Sequence, residues 1–184
     1  EESKTLAISD FIVFKPTSMG SIKLFEKISK NGYVSSEDTD EWNKIKKRFK
    51  LIFDAAKVKQ MKVLVDAEES WIQKAIDDLV FENMLIYNRN YPLIYNTIQA
   101  YRNDRLDYLK QIHQKFKGTH VKIGVKLVRG AYMQKENKRA KEFNYKSPIC
   151  KNKFLTDESF NNSLKYIFKH INDFCLFIGT HNEK

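Results

Sequence analysis

The stretch KIGVKLVRGAY, from Lys122 to Tyr132, decides how the rest of the chain is read. Ile123, Val125, Leu127 and Val128 crowd β-branched and aliphatic residues together, as strands do, and Gly130 ends the run. Two cations, Lys126 and Arg129, stand among these apolar neighbours. A long charged side chain on an interior strand needs an anion, a carboxylate or a cofactor. The plainer reading is that lysine and arginine bury their stems and carry their charges out to water. The remainder of the sequence has to decide between the two.

Outward from this stretch the chain alternates. DFIVFKPT (Asp10 to Thr17) reads as a strand, followed by a loop at Gly20 and a helix from Ser21 to Lys30. NGYVSSEDTDE is a turn and then a cap, with Ser35, Ser36 or Asp38 able to receive the free amides of a second helix running to about Lys59. The strand KVLVDAEES (Lys62 to Ser70) leads into a helix from Trp71 to a turn at Asn88 to Asn90. A third strand, PLIYNTIQAY, precedes a helix from Arg102 to Lys117, and the opening stretch is the fourth. A helix from Asp157 to His170 then leads to a fifth, DFCLFIGTHNE.

Strands separated by helices imply parallel βα units, because parallel neighbours need a long crossover. Two architectures follow, an open doubly wound sheet or a (β/α)8 barrel. No glycine-rich dinucleotide fingerprint follows any strand, which weighs against the first. Each strand instead ends in polar groups: Lys15 and Thr17; Asp66, Glu68 and Glu69; Asn96 and Gln99; Lys126 and Arg129; Thr180, His181 and Asn182. A barrel builds its active site from such strand ends.

Composition fits one domain. The 184 residues are 42% hydrophobic and 13% aromatic, enough for a sizeable core, and no apolar run approaches a membrane span. EESKTLAISD has neither the basic start nor the apolar core of a secretory signal, and the absence of an initial Met suggests that the natural N-terminus lies further upstream. Cys150 and Cys175 are too few for a disulfide framework and have no metal-ligand spacing, which favours a reducing compartment and no metal. The formal charge of +10 is spread along helices rather than gathered in an arm, so nucleic acid is not an expected partner.

Taken singly, each polar residue has an ordinary explanation. Asp66 alone would be a helix cap, and His181 alone a packed or surface histidine. Glu68 and Glu69 read as first-turn residues at the positive end of the next helix. Gln99 reads either as a buried amide bonded to backbone or as a ligand contact. Convergence at successive strand ends favours the functional alternatives for Lys15, Asp66, Gln99, Lys126 and His181.

DAEES (Asp66 to Ser70), YNTIQAY (Tyr95 to Tyr101), GVKLVRGAY (Gly124 to Tyr132), TDESFN (Thr156 to Asn161) and GTHNE (Gly179 to Glu183) together resemble the proline dehydrogenase family, with KPTSMG (Lys15 to Gly20) agreeing upstream. The resemblance implies a distorted (β/α)8 barrel that binds FAD, oxidises L-proline to 1-pyrroline-5-carboxylate and passes electrons to a quinone-type acceptor. It implies a bacterial cytoplasmic or a mitochondrial matrix or inner-membrane-face location with peripheral membrane contact, and not a secreted protein.

By the same resemblance, Asp66 and Lys126 are catalytic, and Lys15, Leu127 and Tyr132 meet the substrate. Gln99, Lys126, Val128, Arg129, Gly130, Thr180 and His181 hold the cofactor. Many members place Arg before LV and Lys before GAY, where this chain has Lys126 and Arg129; the two cations differ in hydrogen-bond geometry.

The resemblance covers part of a single barrel domain, about five βα units that look like the family's second to sixth. The last strands and the helix whose paired arginines hold the proline carboxylate have no counterpart in these residues. The expectation is therefore a five-stranded, unclosed barrel with reduced activity and with edges near Asp10 to Thr17 and Phe174 to Gly179 that seek partners. Two alternatives stand beside it: a fragment that catalyses nothing, and an enzyme acting on 4-hydroxyproline.

Overall fold

The computed structural model describes residues 11–89 and 91–180. The first strand, β1 (Phe11–Phe14), is followed by a 3-10 turn at Pro16–Ser18, then by helices α1 (Ile22–Ser29) and α2 (Ser36–Lys59). Strand β2 (Lys62–Val65), helix α3 (Ser70–Tyr87), strand β3 (Ile94–Gln99), helix α4 (Arg105–Phe116) and strand β4 (Ile123–Val128) come next. Helices α5 (Met133–Glu142) and α6 (Lys153–Lys169) precede β5 (Phe174–Gly179).

All neighbouring strands are parallel, in the order β1-β2-β3-β4-β5. The sheet is strongly curved. Laid flat, its two edge strands would lie about 19 Å apart, beyond the joint reach of two phenylalanines. Yet the Phe11 ring on β1 and the Phe177 ring on β5 meet edge to face with centroids 5.2 Å apart, and Tyr95 of β3 stands 6.3 Å from Phe11. The strands wrap round these rings as in a barrel, rather than lying open as in a doubly wound sheet.

Alternation along the strands assigns the faces. Val63, Val65, Ile94, Ile98, Ile123, Val125 and Leu127 point outward into the core, where Phe49, Phe53, Ile72, Ile76 and Ile167 of the helices cover them. The opposite parity, Lys15, Asp66, Thr97, Gln99, Lys126 and Val128, faces the concave side.

Several expected boundaries move, each for a local reason. β1 stops at Phe14 because Pro16 has no N–H and Ser18 closes a turn on the Lys15 carbonyl. β2 ends at Val65, so DAEES is loop rather than strand. Of the three cap candidates for α2, Ser35 is the cap: its hydroxyl accepts from the Asp38 amide and the Asp38 carboxylate accepts from the Ser35 amide, both at 3.1 Å. α6 begins at Lys153 because the Asn152 side chain caps it. α5 was not foreseen.

Candidate functional site

The turn after β1 and the loop after β2 are tied by one carboxylate. Glu68, only 4% exposed, accepts from the Thr17 amide at 2.8 Å and the Thr17 hydroxyl at 2.6 Å. Its own amide is held by the Gln73 side chain at 2.9 Å. Glu69 receives the Lys135 ammonium at 2.9 Å. Neither residue lies in the first turn of α3, so the first-turn reading is corrected: the Glu68 carboxylate is taken by Thr17, and Glu69 stands at the N-cap but turns its carboxylate to Lys135 of α5 instead of capping the helix. With Thr17 fixed, Lys15 is aimed across the strand ends.

Asp66 is not a cap either. The N-cap of α3 is Glu69, and the Asp66 carboxylate instead receives Lys126 Nζ at 2.6 Å, with Lys15 Nζ at 3.8 Å from its other oxygen. Lys15 donates to the Tyr132 hydroxyl at 3.0 Å. That hydrogen bond, reinforced by Asp66 and Glu68 against partial burial, holds the Lys15 ammonium above its ordinary range. Two ammonium groups on one carboxylate leave a positive charge over, which suits a small carboxylate ligand. β4 carries Lys126 inward because it shares parity with Val128, and its register sets it beside Thr97 and Phe177.

Arg129 turns to the rim. It donates to Asp157 at 2.6 Å and to the Thr180 hydroxyl at 2.7 Å, and its guanidinium lies 4.4 Å from the Phe160 ring centre. Lys153 and Arg129 together lower the Asp157 carboxyl below the usual range. Gly130 follows at φ 129°, and a Cβ there would lie 2.4 Å from Tyr101, so only glycine fits.

These groups line one cleft of about 480 Å³, formed by Lys15, Asp66, Thr97, Gln99, Lys126 and Val128 with Arg129, Gly130, Tyr132 and Thr180 at its mouth. Gln99 is 2% exposed; its amide nitrogen donates to the Glu68 carbonyl at 3.2 Å, while its oxygen has no partner among the described residues. The backbone-bonded reading of Gln99 holds on the nitrogen side of the amide, and the oxygen side is open toward the cleft. A buried acceptor left unpaired is worth about 1–3 kcal/mol of instability, and a ring N–H of a bound flavin would satisfy it.

One expected residue is not brought to the cleft. Leu127 is fully buried among the outward-facing core residues, so its assignment to the substrate is corrected: a strand cannot present adjacent residues to one face. His181 lies outside the described residues. Thr97 and Asp157, to which no role was given, belong to the site. Thr97 has the parity of Gln99 and was readable from it, whereas Asn96 faces outward to Asp77. Asp157 meets Arg129 only through the tertiary fold.

The family model described as "Proline dehydrogenase" matches residues 5–184. "Carbapenem antibiotics biosynthesis protein CarD" of Pectobacterium carotovorum subsp. carotovorum is 34% identical over 174 residues, covering 95% of this chain and 45% of that protein. "Proline dehydrogenase 1, mitochondrial" of Dictyostelium discoideum is 34% identical over 159 residues, 82% of this chain and 27% of that one. A solved structure of proline utilization A with proline bound in remote sites shares the fold at a TM-score of 0.80 and 21% identity, covering 94% of this chain and 17% of that chain. The chain thus spans less than half the length of these relatives. On the match across residues 5–184, the chain belongs to the proline dehydrogenase family.

Proposed function

We propose that this chain forms the catalytic cleft of a flavin-dependent proline dehydrogenase, part of a single barrel domain that oxidises L-proline to 1-pyrroline-5-carboxylate. The observation that carries the reading is the Asp66 carboxylate shared by Lys126 and Lys15, opening on the same cleft as the unpaired Gln99 oxygen. Gln99, Lys126, Val128, Gly130 and Thr180 would hold FAD, which when bound supplies the two-electron acceptor. A quinone-type compound then takes the electrons onward.

The chain's own residues position and neutralise. Lys15 binds the proline carboxylate, and its bond to Tyr132 sets the distance between that carboxylate and the Tyr132 ring. Asp66 restrains Lys126, whose charge favours an electron-rich reduced cofactor. Loss of a hydride from the carbon next to nitrogen requires the amine to be neutral, and a site dominated by cations disfavours its protonated form.

The test is the absorption spectrum of purified protein, followed by dye reduction with L-proline and with 4-hydroxyproline in parallel. The expected result is oxidised flavin bands and reduction driven by L-proline. Preference for 4-hydroxyproline would favour a second reading, raised by 31% identity over 162 residues to "Hydroxyproline dehydrogenase" of Xenopus laevis. Protein that neither carries nor takes up flavin would overturn both.

A further inference from the structure

At the opposite end of the strands, His113 in the last turn of α4, His170 capping α6 and Asp173 just before β5 bring ligand atoms within 4.8 Å of one another. The geometry points to a transition-metal site here, of the Zn2+ class, that pins α4 to α6 and to the entry of β5.

The backbone of this corner is already fixed. The Asp173 amide bonds the His170 carbonyl at 2.9 Å, and the Asp173 carbonyl takes the Ile123 amide of β4 at 2.9 Å. His113 is 5% exposed, with Nδ1 2.8 Å from the Tyr166 hydroxyl and Nε2 2.9 Å from the Asp173 carboxylate. Without metal these contacts form a satisfied relay in which Tyr166 donates to Nδ1 and Nε2–H donates to Asp173.

A divalent cation can take the place of the Nε2 proton without a net change in protonation. The proton moves to Nδ1, and Tyr166 turns its hydroxyl to accept from it. This is the usual arrangement of a metal-bound histidine, whose second nitrogen is held by an outer acceptor. Asp173 then becomes a ligand on the same ion.

His170 supplies the third ligand. Its ring lies tilted against those of His113 and Tyr166, with centroids 4.6 Å and 4.8 Å away, and no group among the described residues hydrogen-bonds its nitrogens. Tetrahedral Zn2+ sets its ligand atoms about 3.4 Å apart. The His113–Asp173 pair at 2.9 Å opens slightly, and His170, within 4.8 Å of the other ligand atoms, closes by up to roughly 1.4 Å. Two imidazoles and one carboxylate suit Zn2+, Co2+ or Ni2+ and not the oxygen-seeking Mg2+ or Ca2+. The adjoining hollow of about 320 Å³ leaves room for water in a fourth position. Lys117 and Lys122 line the same hollow and keep the affinity moderate.

Chelator-treated protein titrated with Zn2+ by calorimetry, and with Co2+ by visible absorption, tests the site. One equivalent per chain is expected, with a Kd of about 10 μM and an intense four-coordinate Co2+ band. His113 is too buried to substitute cleanly, so the partly exposed ligands are changed instead. His170→Gln and Asp173→Asn should each weaken binding by about tenfold or more, whereas His120→Gln, on the rim of the hollow, should leave it unchanged. Absence of saturable one-equivalent binding overturns the site, as does full affinity in either ligand variant.

Discussion

Two charged clusters lie on opposite faces of the sheet, and they are built to opposite ends. On the outward side Asp77, 3% exposed, takes the Gln73 amide and the Asn96 amide at 2.9 Å on one oxygen and Arg105 at 2.7 Å on the other. On the concave side Asp66 keeps 23% of its side chain open and is shared by two lysines, beside a Gln99 oxygen with no partner. At its Asp77 centre the first cluster has both carboxylate oxygens taken, and that centre serves stability. The second leaves charge and an acceptor for something else to complete. Saturation, rather than charge content, separates a structural network from a binding site.

The sharpest way to break this contrast is to remove the closed cluster's centre. Asp77→Ala leaves the Arg105 guanidinium, 8% exposed, with only the partly exposed Asp104, and strands the amides of Gln73 and Asn96. Breaking a buried pair by removing one partner destabilises by about 3–5 kcal/mol. For a chain of this size that lowers Tm by about 10 °C, read by circular dichroism. A loss below about 1 kcal/mol would show the network to be dispensable.

Lys15→Met tests the open cluster. Because 53% of the Lys15 side chain is exposed and its partners are surface-facing, the fold should change little. Under the proposed function the substrate carboxylate loses a charge-assisted bond of about 1.5–3 kcal/mol, a fall in kcat/KM of roughly 10- to 150-fold. Because the lysine stays charged below the ordinary value of 10.5 and beyond it, the wild-type carboxylate affinity should hold through neutral pH and fail only at higher alkalinity. An equal loss of stability and activity in the variant would place Lys15 in the structure rather than the site.

The same contrast explains what the sequence disclosed. Lys15, Asp66, Gln99 and Lys126 were legible because each is a polar residue at the carboxyl end of an apolar strand, a position with few structural uses. Strict alternation would also have excluded Leu127 and found Thr97. The closed cluster was not legible, since Asp77, Asn96 and Arg105 come from three elements that only the packed fold brings together. Nor was α5: MQKENKRAKE has no apolar stripe, and it is held by distant polar partners, above all through Glu136, fully buried and accepting from the Ser70 amide and hydroxyl on α3, and through the pairing of Lys135 with Glu69 and of Arg139 with Glu26. Such a helix is specified by distant partners rather than by its own period.

A smaller effect is expected at Gln99. Gln99→Leu removes an unpaired acceptor together with two long hydrogen bonds, to the Glu68 carbonyl at 3.2 Å and the Tyr101 hydroxyl at 3.5 Å, so the unliganded fold should lose little stability. Flavin affinity of the apoprotein, followed by fluorescence quenching, should weaken by about 2- to 12-fold, the worth of one neutral hydrogen bond. Unchanged flavin binding would remove Gln99 from the cofactor site and leave its oxygen without an explanation.

The smallest effect lies where the closed cluster meets water. Asp104 takes Arg102 at 3.0 and 2.7 Å and Arg105 at 3.1 and 2.6 Å, while 49% of its side chain remains exposed. Partial burial alone would raise its carboxyl, but Arg105 and Arg102 outweigh burial and hold it down to about 2, from 3.8. A depressed carboxyl stabilises the fold above its unfolded value and ceases to do so as pH falls through the folded one. The stability gap between the parent and Asp104→Asn should therefore be widest near neutrality and close between about pH 4 and pH 2. Solvent screens so open a group, so the gap at pH 7 should stay within about 1 kcal/mol, measurable as a difference in urea midpoints at a series of pH values. A gap that persisted unchanged at pH 2 would mean that Asp104 acts by shape rather than charge, and that the network's charge ends at Asp77.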